Sequence, residues 1–393
     1  MNNLKKIKII HIAHVSHSYF ANEKDDLKKI ILNDWYSKTA FQLKKFYPNL
    51  EVECWAPEKL ERKKTEFYEK GIMFRFFPTT FSPVYALDFS IPLIKELKHE
   101  IKKNKKQGVE TIIHLHEYHN LHGLIISLLF KKQKIIAQHH GGSWPLKHLK
   151  EKEKYKKIFL LFVLGQLLEK IALKNIDCFF ALSAEEMEYL KKEAKNSKIQ
   201  FQTMGIDDEY FNKIKKDYAR KKIGIKKGEK MLLFIGRVSK IKGLDYLIRA
   251  MKFLPETNLY ILGYGEEREE LEKLSEELRL KNIHFMGGVF GEEKMLFLSA
   301  ADSLILPSLK EGAPVTLMEA VAKNLPIIVS NIGGVKMMIE EGREGIIIKP
   351  RSSKEIVLAV KKMAGWKKKD IQKYAEKYRW KEIIEKTVKE YYS

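Results

Sequence analysis

Two cysteines in 393 residues, Cys54 and Cys178, with no Cys-x-x-Cys pairing, exclude a disulfide framework and a cysteine-based zinc cluster. Long apolar runs are missing as well. The longest uncharged one, Ile158–Leu168, is about half the ~20 residues a membrane-crossing helix needs, and it contains Gln166. Met1–Val15 is too short and too rich in histidine for a secretory leader and reads as a first strand. There is no internal repeat and no low-complexity tract. Acidic residues are outnumbered, 51 against 73 Lys and Arg, for a net charge of +22. What is present is an ordinary core-forming composition, 45% hydrophobic, at a length that calls for two domains.

Strand and helix patterns alternate throughout, which calls for parallel α/β sheets. The first half offers strands at Lys8–Val15, Val52–Trp55, Ile72–Phe76, Thr111–His116, Lys134–His139, Cys178–Leu182 and Ile199–Met204, with helices at Leu27–Phe46, Ile91–Lys103 and Tyr155–Leu173. Residues 1–210 form one expected domain and 229–377 a second. Between them, 211–228 holds eight Lys/Arg against one Asp and reads as a solvated linker. Six strand–helix units follow. A last helix, about 378–393, carries Ile383, Ile384, Val388 and Tyr391 on one face, and that face needs a surface to cover.

Two spots in the second half carry chemistry. Met231–Ile235 reads as a buried strand, then Gly236-Arg237-Val238-Ser239-Lys240-Ile241-Lys242-Gly243 turns into a helix marked by Leu244, Leu247, Ile248 and Met251. Arg237 and Lys242 thus sit on a strand-to-helix loop, where open α/β sheets bind ligands, and their cations suit a diphosphate that becomes a leaving group. Lys240 is read as a solvated charge. About seventy residues on, the strand Ser303–Leu306 runs into Pro307-Ser308-Leu309-Lys310-Glu311-Gly312-Ala313-Pro314, and a helix begins at Pro314 or Val315 with Val315, Met318, Val321 and Ala322 as its apolar face. The free N–H groups and positive dipole end of that helix make a phosphate seat. Glu311 lies just outside the seat and Glu319 about one turn inside. The pair brackets an anion with a carboxylate for a diol on either side, the layout of a nucleoside diphosphate sugar.

With Gly263-Tyr264-Gly265 and Ser330-Asn331-Ile332-Gly333-Gly334 added in order, residues 230–350 resemble the donor half of a glycosyltransferase family 4 enzyme. The resemblance implies a GT-B fold, two Rossmann-like doubly wound domains facing a central cleft, with the last helix crossing back to the first domain. It also implies retaining, metal-independent transfer from a nucleoside diphosphate sugar to a hydroxyl acceptor. Carried over by position, Arg237 and Lys242 become diphosphate ligands beside Gly236, Glu311 the carboxylate facing the donor sugar, and Glu319 the ribose ligand. Backbone at Pro314, Val315 and Thr316 meets the phosphate. Gly265, with Tyr264, Val289 and Phe290, falls where the base would lie.

The first half is expected to supply the acceptor side. His114, His116, His119 and His122 gather at one strand end, and His139-His140-Gly141-Gly142 follow the next strand. In the resembling family a histidine followed by glycine lies beside the reacting carbon. His140 takes that catalytic place, with His139 as rival and His116 as a cleft residue. A metal held by His116 and His119 is the competing reading, but His-Glu-Tyr-His is one residue short of zincin spacing. Asp-x-Asp, the metal–diphosphate motif of other glycosyltransferases, is absent, so no metal cofactor is expected. One departure concerns the loop after strand one. His14-Val15-Ser16-His17-Ser18-Tyr19-Phe20 lacks the family's paired glycines, and contact there would fall to Ser16 or Ser18. Asn324, where a helix-ending glycine is common, tolerates the left-handed conformation.

The positive charge concentrates in residues 91–175, with 17 Lys/Arg against 7 Asp/Glu. Within them, 144–173 interleaves Lys147, Lys150, Lys152, Lys154, Lys156 and Lys157 with a strongly apolar stretch. That pattern suits peripheral contact with an anionic membrane and a lipid-linked acceptor, or else the basic outer face of a core helix. The protein is expected in the cytoplasm, on or near the inner membrane face. The alternatives are a GT-B nucleotide-sugar epimerase, a glycan phosphorylase, or a basic nucleic-acid or membrane-binding protein. No nucleic-acid module or aromatic stacking motif supports the nucleic-acid reading.

Overall fold

Ile-Lys-Ile-Ile-His-Ile-Ala, the first strand β1 (Ile7–Ala13), is buried at all seven positions, as a strand covered on both faces must be. In this computed structural model, which describes residues 5–13, 17, 27–59, 64–81, 87–140, 159–366 and 370–393, the chain forms two units. One comprises Met1–Met204 with Ile383–Ser393, the other Gly205–Glu382.

The first unit is built on an eight-stranded sheet. After β1 come β2 (Glu51–Glu58), β3 (Thr65–Glu69), β4 (Ile72–Pro78), β5 (Glu110–His116), β6 (Lys134–Gln138), β7 (Cys178–Ala181) and β8 (Lys198–Phe201). Their order is β3-β4-β2-β1-β5-β6-β7-β8. All neighbours are parallel except β3 and β4, an antiparallel pair. The chain runs one way from β1 to β2 and the other way from β5, so the switch point lies between β1 and β5, where Ala13 faces His116 in register.

The second unit holds six parallel strands, β9 (Lys230–Ile235), β10 (Thr257–Leu262), β11 (Ile283–Gly287), β12 (Ser303–Leu306), β13 (Ile327–Ser330) and β14 (Gly345–Ile348), in the order β11-β10-β9-β12-β13-β14. Its switch point lies between β9 and β12. The loops leaving those two strands are the ones carrying Lys242 and Glu311.

Several sequence expectations need correction. The helix expected over Leu27–Phe46 is two helices, Leu27–Asn33 and Trp35–Phe46. Asp34 is extended there (φ −69°, ψ 158°), and its carboxylate caps the second helix at Trp35 N. Strand β3 was not foreseen. Residues 211–228 are no free linker: they carry the helix Lys216–Lys222, whose Arg220 is buried and bonded to Ala300 O (3.0 Å) and Asp302 Oδ2 (3.1 Å). Of the helix expected over Tyr155–Leu173, residues 155–158 lie outside the described residues and Phe159–Ala172 is helical. Asn324 is left-handed (φ 57°), as its side chain permits, and its Oδ1 accepts from Ile371 N.

The last helix, Trp380–Tyr392, packs into the first unit from Ile383 onward. Ile383, Ile384, Val388 and Tyr391 are all buried, and Gln202 donates to Thr387 Oγ1 (2.9 Å).

One buried charge anchors the edge where β1 begins. Lys8, 3% exposed, sits on Glu51 (2.8 Å), Glu53 (2.7 Å) and Glu100 (2.9 Å), and this pairing holds the Glu100 carboxyl below its ordinary range despite burial. Removing one partner of a buried pair strands the others without compensation. Lys8→Ala is therefore expected to cost about 3–5 kcal/mol in denaturant unfolding. A loss under about 1 kcal/mol would show that the network contributes nothing net.

Candidate functional site

The second unit's site grows out of loops that lean on one another at the strand ends. Gly236 N donates to Leu262 O (3.0 Å), Val238 N to Tyr264 O (2.8 Å), Leu309 N to Ile241 O (2.7 Å) and Gly334 N to Gly312 O (3.0 Å). The approach is so close that a Cβ on Gly265 would lie 2.0 Å from Val238 O, and one on Gly333 (φ 50°) 1.9 Å from Glu311 O. These contacts bring Lys242 and Glu311 together. Lys242 Nζ meets Glu311 Oε1 at 2.5 Å, and Ser308 Oγ donates to the same oxygen at 2.8 Å. Both side chains are mostly buried.

The helix Val315–Ala322 starts beside them with Pro314 as N-cap, a residue with no side-chain cap to offer. Its burial differs from the amphipathic face expected: every residue from Leu317 to Ala322 is buried. Glu319 is among them, ion-paired to Lys294 Nζ and hydrogen-bonded by Tyr210, whose hydroxyl burial and that carboxylate keep protonated far above its usual range. Lys294 was missed in the sequence; a lysine in Glu-Glu-Lys on a surface helix carries no local signal. Arg237 stands apart, largely exposed and paired with Glu266 (3.3 Å). Gly236 is partly buried, and Val289 is buried behind the exposed Phe290.

In the first unit, a ladder of imidazoles occupies the switch point. His11 Nδ1 lies 2.7 Å from His116 Nε2, and His116 Nδ1 lies 3.0 Å from His140 Nε2. His140 also stacks near Trp35. His114 Nδ1 meets Tyr391 Oη of the last helix at 2.6 Å. Burial pushes His11 down to about 3 and lowers His114 as well, so the deep end of the ladder is neutral. His116 and His119 do not come together. His119 Nδ1 instead faces Glu169 Oε1 (2.6 Å), and His122 is buried near Phe89. His139 turns to Glu117, with Nδ1 at 3.1 Å from Oε1.

Ser16 and Ser18 lie outside the described residues; His17, between them, is described and was missed. It is buried between Asp34 (Nε2 to Oδ2, 3.0 Å) and Glu58 (Nδ1 to Oε2, 3.5 Å). Burial opposes its charge, but the two carboxylates outweigh burial and raise it to about 9.

Residues 215–378 match the family described as Glycosyl transferases group 1. Two uncharacterized glycosyltransferases of Methanocaldococcus jannaschii are similar. One is 35% identical over 44% of this chain, a match spanning about half (47%) of that relative; the other is 30% identical over 68% of this chain and 69% of its own. The Escherichia coli UDP-Gal:alpha-D-GlcNAc-diphosphoundecaprenol alpha-1,3-galactosyltransferase is 28% identical over 72% of this chain and 73% of its own. Among solved structures, sucrose-phosphate synthase from Thermosynechococcus elongatus shares the fold at TM-score 0.72, with 18% identity and 98% of each chain covered.

A histidine raised from 6.5 to about 9 stabilises the fold fully below pH 6.5, and that contribution vanishes as pH rises through about 9. The difference in unfolding free energy between wild type and His17→Gln should be on the order of 3 kcal/mol at pH 6 and shrink toward zero by pH 10. A difference that stays flat across that range would remove the ion-pair assignment.

Proposed function

The chain belongs to the group 1 glycosyltransferases and has the GT-B fold, two parallel-sheet Rossmann-like domains, and on that premise we propose a family 4 enzyme that transfers a sugar with retention from a nucleoside diphosphate sugar to a hydroxyl acceptor. The observation that carries this reading is the Lys242–Glu311–Ser308 cluster at the switch point, beside a helix whose first N–H groups lack a side-chain cap.

A diphosphate seated there meets the Lys242 ammonium and the N–H groups at Val315 and Thr316, with Arg237 swinging in from its solvent-side pair with Glu266. As the sugar C1–O bond to phosphate breaks, those cations and dipoles absorb the charge on the leaving oxygen. The acceptor oxygen bonds to C1 on the same face and its proton passes to a leaving-group oxygen. Glu311, fixed by Lys242 and Ser308, faces the sugar hydroxyls. Glu319, ion-paired with Lys294, accepts from the ribose diol. His140 is assigned to the sugar on its resemblance alone. No metal is needed at the diphosphate, since Lys242 and Arg237 do the neutralising.

The acceptor side favours a lipid-linked substrate at the cytoplasmic membrane face. In the helix Phe159–Ala172, Leu164, Leu167, Leu168 and Ile171 are exposed at i, i+3, i+4, i+7 spacing, while Gly165, Glu169 and Ala172 face inward. Lysines crowd the sequence just before it. No helix among the described residues is long and apolar enough to cross a membrane, so such a stripe would lie on one.

Lys242→Ala and Glu311→Ala should each lower kcat/KM by roughly 100- to 1,000-fold, with a nearly unchanged melting temperature. A thermal-shift panel of UDP, GDP, ADP and dTDP should show one nucleotide stabilising the wild type and not Lys242→Ala; no shift with any nucleotide would sink the donor assignment. Added Mg2+ or Mn2+ should leave the rate within about twofold, and strong activation by either would overturn metal-free handling of the diphosphate. Leu167→Ser with Ile171→Ser should reduce co-sedimentation with anionic vesicles at least tenfold. Equal retention by wild type and variant would show that the stripe does not bind lipid.

A further inference from the structure

Among the described residues of the first unit, two clusters of side chains could ligate a metal, His11 with His114 and His116, and Glu117 with His119 and His139. The first is unsuited to an ion. Its rings stack, His114 on His116 at 4.6 Å and 17°, so their in-plane lone pairs cannot converge. Both nitrogens of His116 are already committed to other imidazoles.

The second differs in the way its rings are set. The rings of His119 and His139 stand at 88°, edge to face, with centroids 5.5 Å apart. One ligand atom from each of the three residues falls within 4.8 Å of the others. Glu117 Oε1 and His139 Nδ1 are 3.1 Å apart, close to the roughly 3.4 Å between two ligand atoms on one tetrahedral zinc. The supporting contacts also follow the pattern of a metal site. His119 is oriented through Nδ1 by the buried Glu169 carboxylate (2.6 Å), a carboxylate–histidine pair that fixes the ring. Glu117 is itself fixed, accepting from Tyr118 N (2.9 Å) and from His140 N (3.2 Å). Glu186 Oε1, held by the Tyr118 hydroxyl (2.7 Å), lies 3.7 Å from His139 Nδ1 and supports that ring from outside the cluster.

We propose that Glu117, His119 and His139 bind a divalent ion of the zinc class, with Glu169 orienting His119 and water completing the coordination. Two imidazoles with carboxylate oxygens suit zinc better than magnesium or calcium, which take oxygen alone. The ion ties the loop after β5 to the loop after β6, directly beside His140. Glu117 holds φ at +90°, a costly conformation for a side-chain-bearing residue, and bonds to an ion would help to fix it there. The site departs from the expectation of a metal-free chain. It lies in the first unit and leaves the diphosphate to the lysine and arginine of the second.

The test is Co2+ titration of the full-length protein after dialysis against chelator, read by visible absorption and by elemental analysis, with neither donor nor acceptor present. It is therefore independent of the transferase reading. One cobalt per chain with four-coordinate absorption is expected, displaced by Zn2+. Binding should be lost in His119→Ala and weakened about 10- to 100-fold in Glu169→Gln. A wild type that takes up no cobalt, or a His119→Ala variant that binds it as tightly, overturns the proposal. Should His119→Ala fail to fold, the near-isosteric Glu169→Gln decides: unchanged affinity overturns it.

Discussion

Backbone meets backbone at the C-terminal ends of β9 and β12, with no room for a side chain between, and the second unit's chemistry depends on that contact. Gly333 lets one loop lie against the Glu311 carbonyl, Gly265 lets another lie against Val238, and the Leu309–Ile241 hydrogen bond joins the loop of Lys242 to that of Ser308. The closeness of Lys242 and Glu311 thus follows from main-chain geometry. An exposed ion pair alone would contribute little and order nothing. Set by interlocked loops, the pair is preorganised, which is what a site for developing charge requires.

The parts of this architecture that are local were legible in the sequence. Buried parallel strands announce themselves as unbroken apolar runs, and the motifs around Gly236, Gly265 and Glu311 are contiguous. The last helix showed its apolar face by spacing. What stayed hidden is assembled across distance. The ladder of His11, His116 and His140 exists because β1, β5 and β6 lie side by side in one register, and no spacing within the chain encodes that. Lys294 finds Glu319 from another helix in the same way. Strand β3 is short, half-exposed and antiparallel at a sheet edge, so its pattern is weak. The charge of 211–228 read as solvation because burial of Arg220 depends on Asp302, eighty residues away. Asp34 was read through as an interior helical residue when it caps a helix and pairs with His17.

The same side chain takes opposite roles within one unit, and its partners decide which. Among the described residues no carboxylate pairs with His11, His114 or His122, and burial drives all three toward neutrality. His17, buried as deeply, keeps its proton because Asp34 and Glu58 bracket it. Of the first three, His11 is the neutral inner end of the ladder that reaches His140 Nε2 through His116. His17 is a buried cation clamped between two carboxylates.

The docking of residues 383–393 into the first unit has a bearing on how the protein is made. The second unit is one continuous stretch and can close as soon as it leaves the ribosome, whereas the first emerges earlier and stays incomplete. Until the last helix arrives, Gln202 and His114 lack Thr387 and Tyr391, and the surface that later covers Ile384 is open to water. The half that is synthesised first is thus completed only when residues 383–393 have been made.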